Sequence, residues 1–370
     1  MPSVCIDIQS AVAQRAGVGR YTHRLVEHLA PQANGDALSL FYFDFKRRGD
    51  TLNAPGATRR TVRWVPGRIA QRSWRTLGWP SFDTFAGAAD VYHFPNFICP
   101  PLRRGKAVVT IHDLAFLRLP ETIEEGNYRF LMSHIHKTVE RADAIITVSD
   151  FTAREVVELL HVPPERVIPI RSGLDLPASI PTPHDVTRMR RALELDQPYL
   201  LTVGTLEPRK NIPFAIDVFE RLTAFNGDLV IAGMKGWKCE PIMDRIRTSS
   251  RAGRIRYLEY VDDSLLPSLY AGAEVFLFPS LYEGFGFTPM ESMAVGVPVV
   301  SADTGSLPEV LGDAALLVHG FDPELWVRDV EYILHDDARR AALAEKGLAH
   351  VRNFQWSETA AKTWQLYRSL

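Results

Sequence analysis

Cysteine is scarce in this chain. Cys5, Cys99 and Cys239 are isolated from one another in 370 residues, with no C-x-x-C pair. That excludes a cysteine-built zinc site or a disulfide framework and suits a reducing compartment. Long apolar runs are also missing. None reaches the roughly 18 uncharged residues that a membrane-spanning helix needs. Asp7 interrupts the first apolar run, so no signal peptide is read there. These absences point to a cytoplasmic protein, free in solution or peripheral at the inner face of the cytoplasmic membrane. The net charge of −2 gives no reason to expect a nucleic-acid partner.

Hydrophobic residues make up 46% and charged residues 23%, which excludes broad disorder, and the length favours two domains. Charge is uneven. Residues 1–180 carry 22 Lys and Arg against 18 Asp and Glu, while the remainder stands at −6. The basic half is therefore the one to face something acidic. Within it, no acidic residue occurs from Thr51 to Phe82. Arg59, Arg60, Arg63, Arg68, Arg72 and Arg75 alternate there with Trp64, Trp74 and Trp79, and Arg103, Arg104 and Lys106 extend the run. Arginine with tryptophan suits an anionic membrane surface or a phosphorylated lipid acceptor. A solvated face over partly buried Trp is the plainer alternative.

Chemistry concentrates between Val275 and Val310. Val275 to Pro279 reads as a buried strand, Leu281 to Thr288 as a loop, Met290 to Val295 as a helix after Pro289, and Val297 to Val300 as the next strand. The loop thus lies at a strand's carboxyl end, where open α/β sheets bind ligands. Glu283 and Glu291 are placed to reach different parts of a ligand. Gly284 and Gly286 let backbone amides approach a phosphate, and carboxylates accept hydrogen bonds from vicinal diols. A nucleotide sugar offers a diol, a diphosphate and a hexose together. A capping Glu and a solvent-facing Glu around a tight turn would leave the same pattern.

Three further strand ends carry polar groups. Gly17-Val18-Gly19-Arg20 lies between a first strand, Val4 to Ile8, and an amphipathic helix, with Gln9 to Val18 read as loop. Asp44 and Lys46 to Arg48 could serve a dinucleotide, but G-x-G-x-x-G fails at Thr22. His112-Asp113 follows an apolar strand, and so does Gly204, with Arg209-Lys210 shortly after it. Cations beside a helix N-terminus run against the macrodipole, which favours a functional reason for them. A loop-capping His and two surface cations remain the structural alternatives.

The segment Glu283-Gly-Phe-Gly-Phe to Glu291, with Gly296-Val-Pro-Val-Val and Gly305-Ser-Leu-Pro-Glu309, resembles the E-x7-E region of retaining glycosyltransferases of family 4, which have the GT-B fold. The resemblance spans essentially the whole chain. It implies an α/β protein of two Rossmann-like domains facing across a cleft. Residues 1–178 would be the acceptor-binding domain and 186–352 the nucleotide-sugar-binding domain. Residues 353–370 would form a terminal helix that crosses back to the first domain. Three prolines between Leu176 and Asp185 mark the linker, and Arg328 to His350 reads as helical.

The resemblance also implies roles. Arg209 and Lys210 would clamp the donor diphosphate, Glu283 would face the sugar hydroxyls, and Glu291 would hold the ribose. His112 would contact the hexose. Gly17, Gly19, Gly204, Gly284, Phe285 and Gly286 would line the donor, with backbone near Val261 reading the base. Arg20 would lie towards the acceptor, with Arg68, Arg72 and Arg75 serving acceptor or membrane. Ser172 stands where the family usually has Asn, a mild departure.

No D-x-D occurs, so a metal-independent reaction is expected, and the resemblance implies a retaining one with no cofactor. The segments around His112 and Arg209 look most like bacterial mannosyltransferases that build lipopolysaccharide O-chains. That implies GDP-mannose as donor and a glycan or polyprenyl-linked acceptor. A UDP-sugar transferase, a GT-B epimerase or phosphorylase and, remotely, an NAD(P) oxidoreductase stay open.

Overall fold

The computed structural model describes residues 2–13 and 17–370. The chain divides into two units. One comprises Met1–Leu117, Glu125–Gly173 and Phe354–Leu370, the other Arg118–Glu124 and Leu174–Asn353.

Among the described residues, the first unit has strands β1 (Ser3–Asp7), β2 (Ala37–Phe43), β3 (Thr58–Val62), β4 (Val91–Phe94), β5 (Lys106–Ile111), β6 (Ala144–Thr147) and β7 (Val167–Pro169). They form one parallel sheet in the order β3-β2-β1-β4-β5-β6-β7. The second unit has β8 (Tyr199–Val203), β9 (Asp228–Ala232), β10 (Ile255–Leu258), β11 (Val275–Phe278), β12 (Val299–Ala302) and β13 (Leu316–Val318), also all parallel. Their order is β10-β9-β8-β11-β12-β13. The strands are short and nearly continuous in apolar residues, as in sheets covered by helices on both faces. Every residue of β9, β11 and β12 is buried. Each order reverses once, between β1 and β4 and between β8 and β11. Those reversals are the switch points where doubly wound sheets bind ligands.

The last segment returns to the first unit. The helix Trp356–Ser369 buries Trp356, Ala360, Trp364 and Tyr367, a stripe at helical spacing. Trp364 Nε1 donates to the Leu29 carbonyl at 2.9 Å, and Arg368 pairs with Asp36 at 2.8 Å.

Several local expectations are corrected. Gln9 opens a short helix, Gln9–Ala13, where a loop was expected, because the Asp7 carboxylate accepts the Gln9 N–H; residues 14–16 of that loop lie outside the described residues. The linker stops at Thr182, since Thr182 and Asp185 close a capping box over the helix Pro183–Leu193. Arg328 to His350 is two helices, Pro323–Leu334 and Asp337–His350, because Asp336 caps the second. The helix after the glycine-rich loop runs over Phe287–Met293 and starts before Pro289, because Gly286 takes a left-handed conformation and ends the loop early.

Candidate active site

Loops after β8 and β11 flank the switch point of the second sheet, and they are tied together. Leu281 N–H donates to the Arg209 carbonyl at 2.8 Å, and the Arg209 guanidinium donates to the Tyr282 carbonyl at 2.9 Å. Four charged side chains meet there. Arg209 lies 3.0 Å from Glu283 and 2.7 Å from Glu207, and Lys210 Nζ lies 2.6 Å from Glu283. Ser280 Oγ donates to Glu283 at 2.6 Å, and the Phe278 ring underlies the Lys210 ammonium at 5.1 Å. All four charges are largely removed from water, so their interactions are strong and their geometry is constrained.

The two carboxylates feel this differently. Burial pushes the Glu283 carboxyl up, but Arg209, Lys210 and the bonds from Lys210 and Ser280 outweigh it and bring it to about 2. Glu207 stays raised, because burial exceeds the help it receives from Arg209 and Lys210. Glu207 was not singled out from sequence. Its place two residues before Arg209 was the available signal, and its burial was not legible.

Glu291 sits on the helix behind the loop and accepts from Tyr270 OH at 2.8 Å. The loop backbone is fixed by glycines at positive φ. Gly305 has φ +59, and a Cβ there would lie 2.5 Å from the Glu283 carbonyl oxygen. The next residue, Ser306, donates its N–H to that same oxygen at 2.9 Å. Gly286 has φ +99, and a Cβ there would meet the Leu307 side chain at 2.7 Å. The Gly305-Ser-Leu-Pro-Glu309 segment is thus the backing of the Glu283 loop. Thr288 Oγ1 and Ser306 Oγ, beside this loop, are two of the buried hydroxyls with no hydrogen-bond partner. Gly284 and Phe285 are buried, and Phe285 packs on Phe287 at 4.9 Å. Gly204 lies beside the Lys210 stem, and Val261 is buried after β10.

In the first unit, His112 follows β5. Its Nε2 lies 2.8 Å from the Pro95 carbonyl, which can only accept, so Nε2 carries the proton and Nδ1 is an acceptor. Burial lowers its pKa, although the Pro95 bond and Asp113 act the other way. Tyr21 meets the ring edge-on at 4.7 Å. Asp113 accepts the Ala115 N–H at 3.1 Å and braces the turn. Gly17, at φ +56, caps the helix Val18–Leu29, which carries a buried Gly19 and a half-buried Arg20 on its first turn. His93 is fully buried between Tyr367 and Thr110 and serves packing.

Asp44 is structural as well. It accepts the Arg48 N–H at 2.7 Å and lies 3.4 Å from Arg63, which removes the acid proposed for a dinucleotide ribose. Arg68, Arg72 and Arg75 lie on the helix Gly67–Thr76 of the first unit. Among the described residues, no group of three or more His, Cys, Asp or Glu side chains converges as a metal site requires.

The model for glycosyltransferase family 4 matches residues 15–177, and that for glycosyl transferases group 1 matches residues 185–350. The O-antigen chain mannosyltransferase B of Escherichia coli is 31% identical over 375 residues, covering 96% of each chain. The chain belongs to glycosyltransferase family 4. Its oxidoreductase alternative falls with that. The serotype-specific mannosyltransferase WbdA of E. coli is 31% identical over 267 residues, 69% of this chain and 32% of that one. Among solved structures, sucrose-phosphate synthase from Thermosynechococcus elongatus superposes with a TM-score of 0.78 at 20% identity, covering 100% and 99% of the two chains. WaaG, a glycosyltransferase involved in lipopolysaccharide biosynthesis, gives 0.73 at 18% identity over 98% and 99%. The fold of this family 4 glycosyltransferase is therefore GT-B.

Proposed function

We propose that this glycosyltransferase moves mannose from GDP-mannose to a glycan or polyprenyl-linked acceptor in lipopolysaccharide O-chain assembly, with retention and without a metal. The observation that carries the reading is the Arg209-Lys210-Glu283 cluster at the carboxyl ends of β8 and β11, with Glu291 behind it. The mannose donor and the O-chain acceptor come from the full-length likeness to the E. coli relative.

The chemistry follows from the residues. The diphosphate takes over the two cations that Glu283 holds, and charge-assisted bonds to it strengthen as the leaving group gains charge. Glu283 then turns its carboxylate to hexose hydroxyls, while Glu291, steadied by Tyr270, accepts from the ribose diol. With both carboxylates engaged, neither serves as nucleophile or base. The leaving diphosphate takes the acceptor proton, and attack comes on the face it leaves.

The test is a donor screen. GDP-mannose, GDP-glucose and UDP-hexoses are incubated with the protein in excess EDTA, and slow donor hydrolysis is followed, with and without an acceptor glycan. Turnover of GDP-mannose that survives EDTA, with a glycan product when acceptor is present, is expected. A UDP-hexose as the one donor consumed, an isomerised or phosphorolysed product, or activity that returns only with Mg²⁺ or Mn²⁺ would each overturn the corresponding part.

A further inference from the structure

Glu291 is half-buried on the helix Phe287–Met293, which is seated by the buried Pro289, Met290 and Met293. A glutamate carboxylate turns about several side-chain bonds, so an unbraced one samples many orientations. Here one partner is fixed. Tyr270 OH donates to Oε2 of Glu291 at 2.8 Å. Tyr270 is only 2% exposed, and its ring packs on Phe276 of β11 at 5.6 Å. A close-packed interior gives such a ring little room to move.

The short helix that carries Tyr270, Leu266–Ala271, is itself pinned. Tyr199 OH, at the start of β8, donates to the Leu269 carbonyl at 2.7 Å. Arg190, on the helix Pro183–Leu193, donates to the Gly272 carbonyl at 3.0 Å and lies over the Tyr199 ring at 5.1 Å. A Cβ at Gly272 would come within 2.5 Å of the Tyr199 hydroxyl, so the backbone is drawn close there. The two tyrosines make a contrast. Tyr199 satisfies its buried hydroxyl on a backbone carbonyl, which serves packing. Tyr270 gives its hydroxyl to a carboxylate of the donor region, in a charge-assisted bond with a set direction.

We propose that Tyr270 is a positioning residue for nucleotide recognition: by holding Oε2 it sets the rotation of the Glu291 carboxylate, and so gives the site its preference for a donor with both ribose hydroxyls. The inference rests on the reading of Glu291 as the ribose carboxylate. Two vicinal hydroxyls can donate to one carboxylate only when it is turned towards the diol. A carboxylate free to swing would lose entropy on binding that a braced one has already lost. Tyr270 acts through Glu291, and the ribose is held alike in ground state and transition state. Its loss therefore weakens donor binding and leaves the chemical step alone.

Calorimetric titration of the full chain with GDP and with 2′,3′-dideoxy-GDP tests it. The wild type should bind GDP about 10–30-fold more tightly than the dideoxy nucleotide. Tyr270→Phe removes one oxygen and keeps the ring. It should weaken GDP binding about 5–10-fold and leave dideoxy-GDP unchanged, so that the ratio shrinks. The donor KM should rise with it while kcat changes little. Glu291→Gln should also shrink the ratio, and adding Tyr270→Phe to it should weaken GDP binding no further, since the two act as a unit. Melting curves establish that each variant is folded. A folded Tyr270→Phe with the wild-type ratio, whether both nucleotides weaken equally or neither does, would overturn the inference and leave the ribose reading standing. A wild type that binds the two nucleotides alike would overturn the ribose reading and the inference with it. A wild type that binds UDP and ignores GDP would correct the base alone, and the ratio of UDP to 2′,3′-dideoxy-UDP then decides in the same way.

Discussion

Arg209 answers to two carboxylates, Glu207 at 2.7 Å and Glu283 at 3.0 Å. On the proposed donor site a diphosphate displaces Glu283, and Glu207 then keeps the guanidinium aimed. It is a positioning residue, since it reaches the ligand through Arg209. Glu207→Gln keeps the volume and removes the charge. It should raise the donor KM about 5–20-fold with kcat changed little, a loss of one charge-assisted bond of roughly 1–2 kcal/mol. Arg209→Ala removes the contact itself and should lower kcat/KM by about 2–4 kcal/mol. Steady-state kinetics on both variants decide the matter. Normal donor KM in Glu207→Gln alongside a crippled Arg209→Ala would remove Glu207 from the site. Near-normal values in both would remove the cluster.

At the scale of the element, the terminal helix makes a pH-dependent contact. Tyr367 OH lies 2.6 Å from His93 Nδ1, and Thr110 Oγ1 lies 2.8 Å from Nε2. Burial, with some help from His112, lowers the His93 pKa from 6.5 to about 3. The folded chain therefore resists a proton that the unfolded chain accepts. Stability is full above pH 6.5 and is lost as the pH falls towards 3, by at most about 1.4 kcal/mol per pH unit from this group. Denaturant unfolding from pH 7 to 4 should show that slope, and His93→Gln should flatten it; parallel slopes would refute the assignment. Elements of this kind were legible where pattern sufficed. The apolar runs at β8 and β11 read as strands, and the resemblance implied the terminal helix of residues 353–370. Asp336 escaped as a cap because the pattern around it stays helical through His350. Of the six arginines in the acid-free stretch, Arg59, Arg60 and Arg63 are spent on local carboxylates and carbonyls, which depends on tertiary contacts. The Arg209-Lys210 pair was legible because it broke a helix rule, and Glu207 was not because burial leaves no mark in sequence.

At the scale of the molecule, two parallel sheets each reverse strand order once, and the charged cluster sits at the reversal of the second. Among the described residues, no helix is long and apolar enough to cross a membrane. The chain is a GT-B glycosyltransferase of family 4, and the account's central claim is that its donor site works by holding a leaving diphosphate. Glu283 carries Arg209, Lys210 and Ser280 on its two oxygens, and Glu291 is held by Tyr270. On the proposed reading Glu283 turns to hexose hydroxyls and Glu291 to the ribose diol once the donor binds, so neither serves as nucleophile or base. On that reading the diphosphate is the proton acceptor, and attack comes on the face it departs from. Proton NMR of the first-formed product from an α-linked donor such as GDP-mannose reads this directly. The account predicts an α linkage, and a β linkage would contradict it.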